Sequence, residues 1–122
     1  MDTEKTKGYK NLKVWQRSVE LALATYELTE KFPKSEIYGL ISQMRRASIS
    51  IPSNIAEGSR RRSNKDFSHF LVIAQGSGSE LETHIEITKQ LSFSKNLDYS
   101  RVDSLLDETM RMLSVLITKI KL

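Results

Sequence analysis

Cysteine is absent from this chain of 122 residues, which excludes disulfides, thiolate metal ligands and thiol catalysis. Histidine and proline each occur only twice, and no apolar run approaches the roughly 18 residues of a membrane span. The first eight residues, M-D-T-E-K-T-K-G, lack the apolar segment of a secretory signal. We therefore expect a soluble cytoplasmic protein, and the length suits a single domain.

Acidic residues are scarce in the middle of the chain. Residues 34–65 carry seven basic and two acidic side chains, whereas residues 1–33 carry six and five, and residues 66–122 carry six and eight. The net charge of +4 therefore arises in the central quarter of the sequence. A local basic patch is typical of a surface that binds a polyanion. The alternative interpretation is an ordinary solvated surface.

The first apolar segment has the spacing of an amphipathic helix. Its apolar side chains recur three and four residues apart, which places them on one face: Leu12, Trp15, Val19, Ala22 and Tyr26. Pro33 predicts the end of this helix, because a residue that precedes proline is disfavoured in the helical region.

A second helix is predicted from Ser35, a candidate N-cap, to about Arg62. Its apolar positions keep their helical phase through Pro52, so a helix kinked at Pro52 is favoured over a strand in the segment S-I-S-I-P. Ile49 lies outside the apolar line of this helix. It either marks a contact between subunits or is turned into the core by the kink.

Two further helices follow. Ser63 with Asp66, and Ser100 with Asp103, fit capping boxes at their first turns. The middle of the third helix is small, A-Q-G-S-G-S at residues 74–79, which predicts the close approach of a neighbouring backbone. Short connections between four amphipathic helices predict an all-α, antiparallel up-down-up-down four-helix bundle over residues 11–122. Residues 1–10 are expected to be a flexible polar N-terminus.

The sequence offers little for catalysis. His69 and His84 lie about 22 Å apart along a straight helix, so they cannot share a metal ion within one chain. His84 falls on the apolar line and is expected to be a packed, hydrogen-bonded core histidine. The E-x-x-H motif of di-iron bundles and the nucleophile elbow of serine hydrolases are both absent. We expect no enzymatic activity, no catalytic residue, no metal and no cofactor.

Arginine dominates the basic stretch, and its planar guanidinium group can donate two parallel hydrogen bonds to a phosphate. On a helical wheel, Arg46 and Arg60 lie opposite the apolar line of the second helix. The predicted nucleic-acid site comprises Arg45, Arg46, Arg60, Arg61, Arg62, Lys65, Lys13 and Arg17, the last three as an extension that requires the first and third helices to flank the patch. Few aromatic residues interleave with these arginines, so contacts mainly to phosphates and little base stacking are expected.

Two other roles for the arginines remain open. In one, the protein is an adaptor or assembly subunit whose basic surface docks an acidic protein partner. In the other, the arginines form ion pairs with acids such as Glu57 and Glu80 across a subunit boundary.

Six motifs of the chain resemble one family, and they occur in the family's order: K-V-W-Q at residues 13–16, L-T-E-K-F-P at 28–33, Y-G-L-I-S-Q-M-R-R-A at 38–47, S-I-P-S-N-I-A-E-G at 50–58, R-R-R-S-N-K-D-F at 60–67 and A-Q-G-S-G-S-E-L-E at 74–82. The chain resembles the four-helix bundle proteins encoded in 23S ribosomal RNA intervening sequences. The match extends from about Tyr9 to Leu91 and more loosely to the C-terminus.

The resemblance implies a ring-shaped homopentamer without enzymatic activity. It also implies similarity to the accessory variability protein of diversity-generating retroelements, a basic pentameric barrel that binds nucleic acid and a reverse transcriptase. A homopentamer, a nucleic acid and a protein partner such as a reverse transcriptase are thus the expected associations. Arg45, Arg46 and the segment Arg60–Lys65 match the basic motif of the family.

Overall fold

The protein is all-helical over the residues that the computed structural model describes, 8–121, and those residues include no strand. It has four long helices: α1 (Lys13–Thr29), α2 (Ser42–Ser59), α3 (Asn64–Lys89) and α4 (Ser100–Lys121). The all-α prediction is confirmed. Most of the predicted flexible N-terminus, residues 1–7, lies outside the described residues, and Gly8–Asn11 form a 3₁₀ turn.

The four long helices enclose a common apolar core. Helix α1 packs against α2 and α4, and α3 packs against the same two helices. Each helix turns one apolar stripe inward, as an amphipathic sequence dictates. The largest fully buried apolar side chains come from all four helices: Leu21, Met44, Ile51, Ile55, Leu71, Leu81, Ile85 and Leu113.

The start of the second helix differs from the prediction. Instead of a single helix from Ser35, a 3₁₀ turn at Lys34–Glu36 and a π turn at Ile37–Ile41 precede α2. Gly39 has non-helical torsion angles there, φ −115° and ψ −110°. The α-helix therefore begins at Ser42, because the backbone at Gly39 leaves the helical region although the apolar spacing continues.

Helix α2 continues through Pro52 to Ser59, so the prediction of a helix rather than a strand is confirmed. The Asn54 side-chain amide donates a hydrogen bond to the Ser50 carbonyl, one turn earlier, at 2.8 Å. Ile49 is 44% exposed, so the alternative that a kink turns it into the core is wrong.

Only one of the two predicted capping boxes has its expected N-cap bond. The Ser63 hydroxyl accepts a hydrogen bond from the Asp66 N–H at 3.1 Å, which caps α3. At α4, Ser100 donates hydrogen bonds instead of accepting one. Its N–H and its hydroxyl both donate to the Asp98 carboxylate, at 3.0 and 2.7 Å. These two bonds lower the pKa of Asp98. The Asp103 N–H donates to the Tyr99 carbonyl instead.

The small residues in α3 face a side chain rather than a backbone. A Cβ atom on Gly78 would lie 2.3 Å from Met110 Sδ of α4. The Ser77 hydroxyl donates to the Ser50 hydroxyl of α2 at 2.8 Å. Nothing lies within 4 Å of a Cβ atom on Gly76. The predicted close approach therefore occurs at Gly78 but is made by Met110, which fills the space that the glycine leaves.

Candidate nucleic-acid interface

The densest basic group lies where α2 ends and α3 begins. Arg60, Arg61, Arg62 and Lys65 are all exposed within six consecutive residues, and we name these four the terminal cluster. The backbone turns here because the Arg60 and Arg61 N–H groups donate to carbonyls in the last turn of α2, at 3.3 and 3.0 Å. The chain then enters α3 at Asn64. The turn thus gathers four cations in a short exposed segment.

An aromatic residue from outside the basic stretch supports this cluster. The Arg60 guanidinium carbon lies 5.1 Å from the centre of the Tyr9 ring, and Lys10 Nζ lies 6.0 Å from it. Trp15 meets the same ring edge-on, with centroids 5.2 Å apart. Cations are attracted to the negative face of an aromatic ring. The sequence-based site omitted Tyr9 and Lys10, because Tyr9 precedes Arg60 by 51 residues and only helix packing brings them together.

Arg61 contacts one residue of α2 and one residue of α3. Its guanidinium group forms an ion pair with Glu57 one turn earlier, and its central carbon lies 4.6 Å from the centre of the Phe70 ring in α3. Both members of the ion pair are about half exposed, so the pair itself adds little stability. Its effect is to orient the Glu57 carboxylate and the Arg61 guanidinium group beside each other.

A cleft opens between these groups. It has a volume of about 550 Å³ and is lined by residues of α2, of the turn that follows α2 and of the turn that precedes α1: Tyr9, Ser53, Ala56, Glu57, Arg60 and Arg61. The cleft therefore combines two cations, one carboxylate and one aromatic ring.

Arg45 does not belong to the terminal cluster, since it lies about 22 Å from Arg60 along the axis of α2. Its Nε donates to the Thr29 hydroxyl of α1 at 2.8 Å, and its guanidinium carbon lies 4.4 Å from the centre of the Tyr26 ring. A second nitrogen donates to the Tyr26 carbonyl at 3.3 Å. Arg45 therefore ties α2 to the end of α1.

Arg46 faces the other neighbour of α2. It is exposed and forms an ion pair with Glu80 of α3, and it also donates to Gln43 at 3.0 Å. Glu57 and Glu80, the two acids proposed to bind arginines across a subunit boundary, thus bind Arg61 and Arg46 of the same chain. Both acids pair with arginine without a second subunit.

The two cations of the first helix lie on its side toward α4. Arg17 donates to Glu20 at 2.7 Å and to Glu108 of α4 at 3.2 Å, and the bond to Glu108 is the main reason that the pKa of Arg17 is raised. Lys13 is exposed and lines an apolar groove between α1 and α4 together with Arg111. Of the predicted flanking cations, Lys65 is the one that follows the arginines in the chain, in the first turn of α3.

His84 lies next to the Arg46–Glu80 pair. Its side chain is only 14% exposed, as expected of a core histidine, and its Nε2 lies 3.8 Å from Glu80. Among the described residues, however, buried Nδ1 has no hydrogen-bond partner. Burial lowers the pKa of His84; the charge of Glu80 opposes this shift and that of Arg46 adds to it.

The free energy of unfolding is expected to fall as the pH is lowered from about 7.5 to about 5.5, and replacing His84 by glutamine should make this fall smaller. Since the folded state has the lower histidine pKa, the unfolded chain binds more protons as the pH falls through the unfolded value of about 6.5. Urea unfolding at the two pH values measures this loss. Exposed His69, replaced in the same way, is the matched control. An unchanged loss in the His84→Gln variant would contradict the assignment.

Across residues 8–121, no three histidine, aspartate or glutamate side chains are grouped so that they could hold a metal ion. None of the helices in this range is both long enough and apolar enough to cross a membrane.

Comparison with known proteins gave one family assignment. A search of the curated proteins found no match. A family model described as the 23S rRNA-intervening sequence protein matches residues 10–115. This range contains the terminal cluster and all of α1, α2 and α3, and it confirms the resemblance carried by the sequence motifs. Because the match covers most of the chain, the protein belongs to the family of 23S rRNA-intervening sequence proteins.

Proposed function

We propose that this protein is a non-enzymatic, cytoplasmic nucleic-acid-binding protein that holds structured RNA or DNA through the phosphates. The observation that carries the proposal is the terminal cluster, in which four exposed cations lie within six residues. Asp66 is the one acid among residues 60–66. Arginine suits phosphate because its fork of N–H donors matches two phosphate oxygens.

The remaining cations of the predicted site are expected to contribute less. Arg46 and Arg17 already bind carboxylates, and Arg45 binds a hydroxyl and a carbonyl of α1. A phosphate would have to displace these partners, as it would have to displace Glu57 from Arg61. The terminal cluster differs in that it offers four cations in one exposed segment. If each of the four neutralises one phosphate of a duplex, log K has a slope of about −3.6 against log salt, since each neutralised phosphate contributes about −0.9.

The proposal includes the up-down-up-down order of the helices, with a kink at Pro52. Contacts near the helix ends support an antiparallel order. Arg45, near the start of α2, binds Thr29 at the end of α1, whereas Arg60, just after α2, contacts Tyr9, just before α1. Such an order gathers the terminal cluster and the start of α1 at one end of the bundle.

Homo-oligomerisation is also part of the proposal, and a pentamer is the number implied by the family resemblance. Ile49 of α2 and Val72 and Ile73 of α3 are exposed apolar side chains. Gly76 of α3 has open space around it, which leaves room for a second chain. Apolar groups on a surface are expected to be covered in an assembly when they form a contiguous patch.

Fluorescence anisotropy with a structured RNA and a DNA duplex, from low to physiological salt, tests the proposal. We expect binding that weakens linearly in log salt, with a slope of several phosphates. No binding at low salt would reject the proposal. It would favour a second candidate, an adaptor or assembly subunit whose basic surface, here the exposed terminal cluster, docks an acidic protein partner such as a reverse transcriptase.

A further inference from the structure

We propose that the cleft beside Tyr9 binds one unpaired nucleotide of the nucleic acid and that it prefers guanine. This inference rests on the proposed function and adds to it a base-reading element next to the phosphate contacts. It also departs from the expectation that base stacking is minor, because packing brings Tyr9 to Arg60.

The shape of the cleft follows from the spacing of its residues on α2. Ser53, Ala56, Glu57 and Arg60 are separated by three, one and three residues, so they lie on one face of the helix. The two small side chains leave the floor of the cleft open, while Arg60 and Tyr9 form its wall. A volume of about 550 Å³ lies within the range of ligand pockets, roughly 300–1,000 Å³.

The wall of the cleft suits stacking. Unpaired bases stack on aromatic rings and on the planes of arginine guanidinium groups, and here the two lie together, with Arg60 5.1 Å from the centre of the Tyr9 ring. The edge-on contact with Trp15 fixes the orientation of the Tyr9 ring before a ligand arrives. A base stacked here therefore meets a surface that is already ordered.

The carboxylate in the cleft selects a base rather than a phosphate. Glu57 would repel a phosphate that entered, whereas it can accept hydrogen bonds from a base. Guanine presents two adjacent donors on its Watson–Crick edge, N1–H and the N2 amino group, which match the two oxygens of a carboxylate. Adenine, cytosine and uracil each place an acceptor beside their donor on that edge, and this acceptor faces the second oxygen unfavourably.

The terminal cluster supplies the complementary contacts. Arg61 holds the Glu57 carboxylate from one side and leaves the other oxygen lone pairs available for the base. Exposed Arg62 and Lys65 lie one and four residues after Arg61 in the chain and can bind the phosphates that flank the unpaired nucleotide. The cleft and the cluster thus form one surface in which cations hold the backbone and the cleft holds a base.

The test compares two fluorescein-labelled single-stranded RNAs of uridine that differ in one central nucleotide, guanosine or adenosine. We expect the wild-type protein to bind the guanosine RNA about tenfold more tightly, since one well-placed pair of hydrogen bonds discriminates against a base that cannot form it. Glu57→Gln should remove this preference. Equal affinity of the wild-type protein for the two RNAs would overturn the inference.

Tyr9 gives a second measurement. Tyr9→Leu keeps an apolar contact with Trp15 but loses the ring, and we expect it to weaken binding of the guanosine RNA by about fivefold or more. Tyr9→Phe should retain wild-type binding. Thermal unfolding followed by circular dichroism should show that all variants are folded. An unchanged affinity in a folded Tyr9→Leu variant would also overturn the inference.

A fully paired RNA duplex separates this inference from the proposed function. We expect Tyr9→Leu to weaken duplex binding much less than binding of the guanosine RNA, because paired bases do not enter the cleft. Glu57→Gln should tighten duplex binding, since Arg61 loses its carboxylate partner, so its readout is the ratio of the affinities for the guanosine and adenosine RNAs. If the wild-type protein binds the duplex with a steep salt dependence but does not distinguish guanosine from adenosine, the proposed function stands and the base-reading cleft is rejected. If it binds neither RNA nor duplex at low salt, both are rejected.

Discussion

Replacing Arg60, Arg61 and Arg62 together by alanine is expected to weaken binding to a nucleic-acid duplex on the order of a hundredfold at about 0.1 M salt. Each phosphate contact that is lost also removes about 0.9 from the slope of log K against log salt, so the slope should become shallower by about 2.7. Titration of a labelled duplex at several salt concentrations, followed by fluorescence anisotropy, measures both quantities.

A matched control separates the position of the charges from their number. Lys34, Lys95 and Arg101 are exposed and lie beyond the opposite ends of α2 and α3 from the terminal cluster. Their combined replacement by alanine removes the same charge. We expect it to lower the affinity only slightly, through weaker long-range attraction. Equal losses of affinity in the two triple variants would show that net charge alone drives binding. An unchanged slope of log K against log salt in the arginine variant would reject the terminal cluster as the phosphate-binding site.

The arginine substitutions should leave the fold intact. All three side chains are exposed, and the ion pair of Arg61 with Glu57 is exposed on both sides, where such pairs contribute about 0–1 kcal/mol. Arg60 and Arg61 also lie over aromatic rings, which adds about 0.5–1 kcal/mol each at exposed sites. A loss of binding in a variant with a normal unfolding transition is therefore an effect on the interface.

Local patterns in the sequence were sufficient to predict the helices. Apolar side chains spaced for a helix predict α1 to α4, and the unbroken phase on both sides of Pro52 correctly favours a helix over a strand. The Ser63 cap is also a local signal, since its partner is three residues away. Gly39 shows where such signals end, because the apolar spacing continues while the backbone leaves the α-helical region.

The site could be predicted only in part, because a helical wheel gives the direction of a side chain but not its partner. Arg45 and Arg46 are adjacent in the sequence, yet they bind α1 and α3 respectively, the two long helices that pack against α2. The terminal cluster was predictable since its members lie together in the chain. Tyr9 was not, because its position beside Arg60 depends on the packing of α1 against α2.

Replacing Gly58 by alanine is expected to destabilise the protein by about 1–2 kcal/mol, although alanine is the better helix former by about 1 kcal/mol. A Cβ atom at this position would lie 2.7 Å from Phe70 Cβ and 3.2 Å from the Phe67 carbonyl oxygen. Both atoms are fixed to the backbone of α3, so rotation of a side chain cannot relieve the clash. The first turns of α3 would have to move away from α2.

Gly76 provides the matched control, because nothing lies within 4 Å of a Cβ atom there. In a monomer, Gly76→Ala should stabilise the protein by up to about 1 kcal/mol through helix propensity alone. Urea unfolding of both variants measures the difference, and equal effects would contradict the close packing at Gly58. Because α3 begins beside the terminal cluster, we also expect Gly58→Ala to weaken nucleic-acid binding even where the protein remains folded. A glycine that contacts no nucleic acid would then control the interface by fixing the distance between the two helices that carry it.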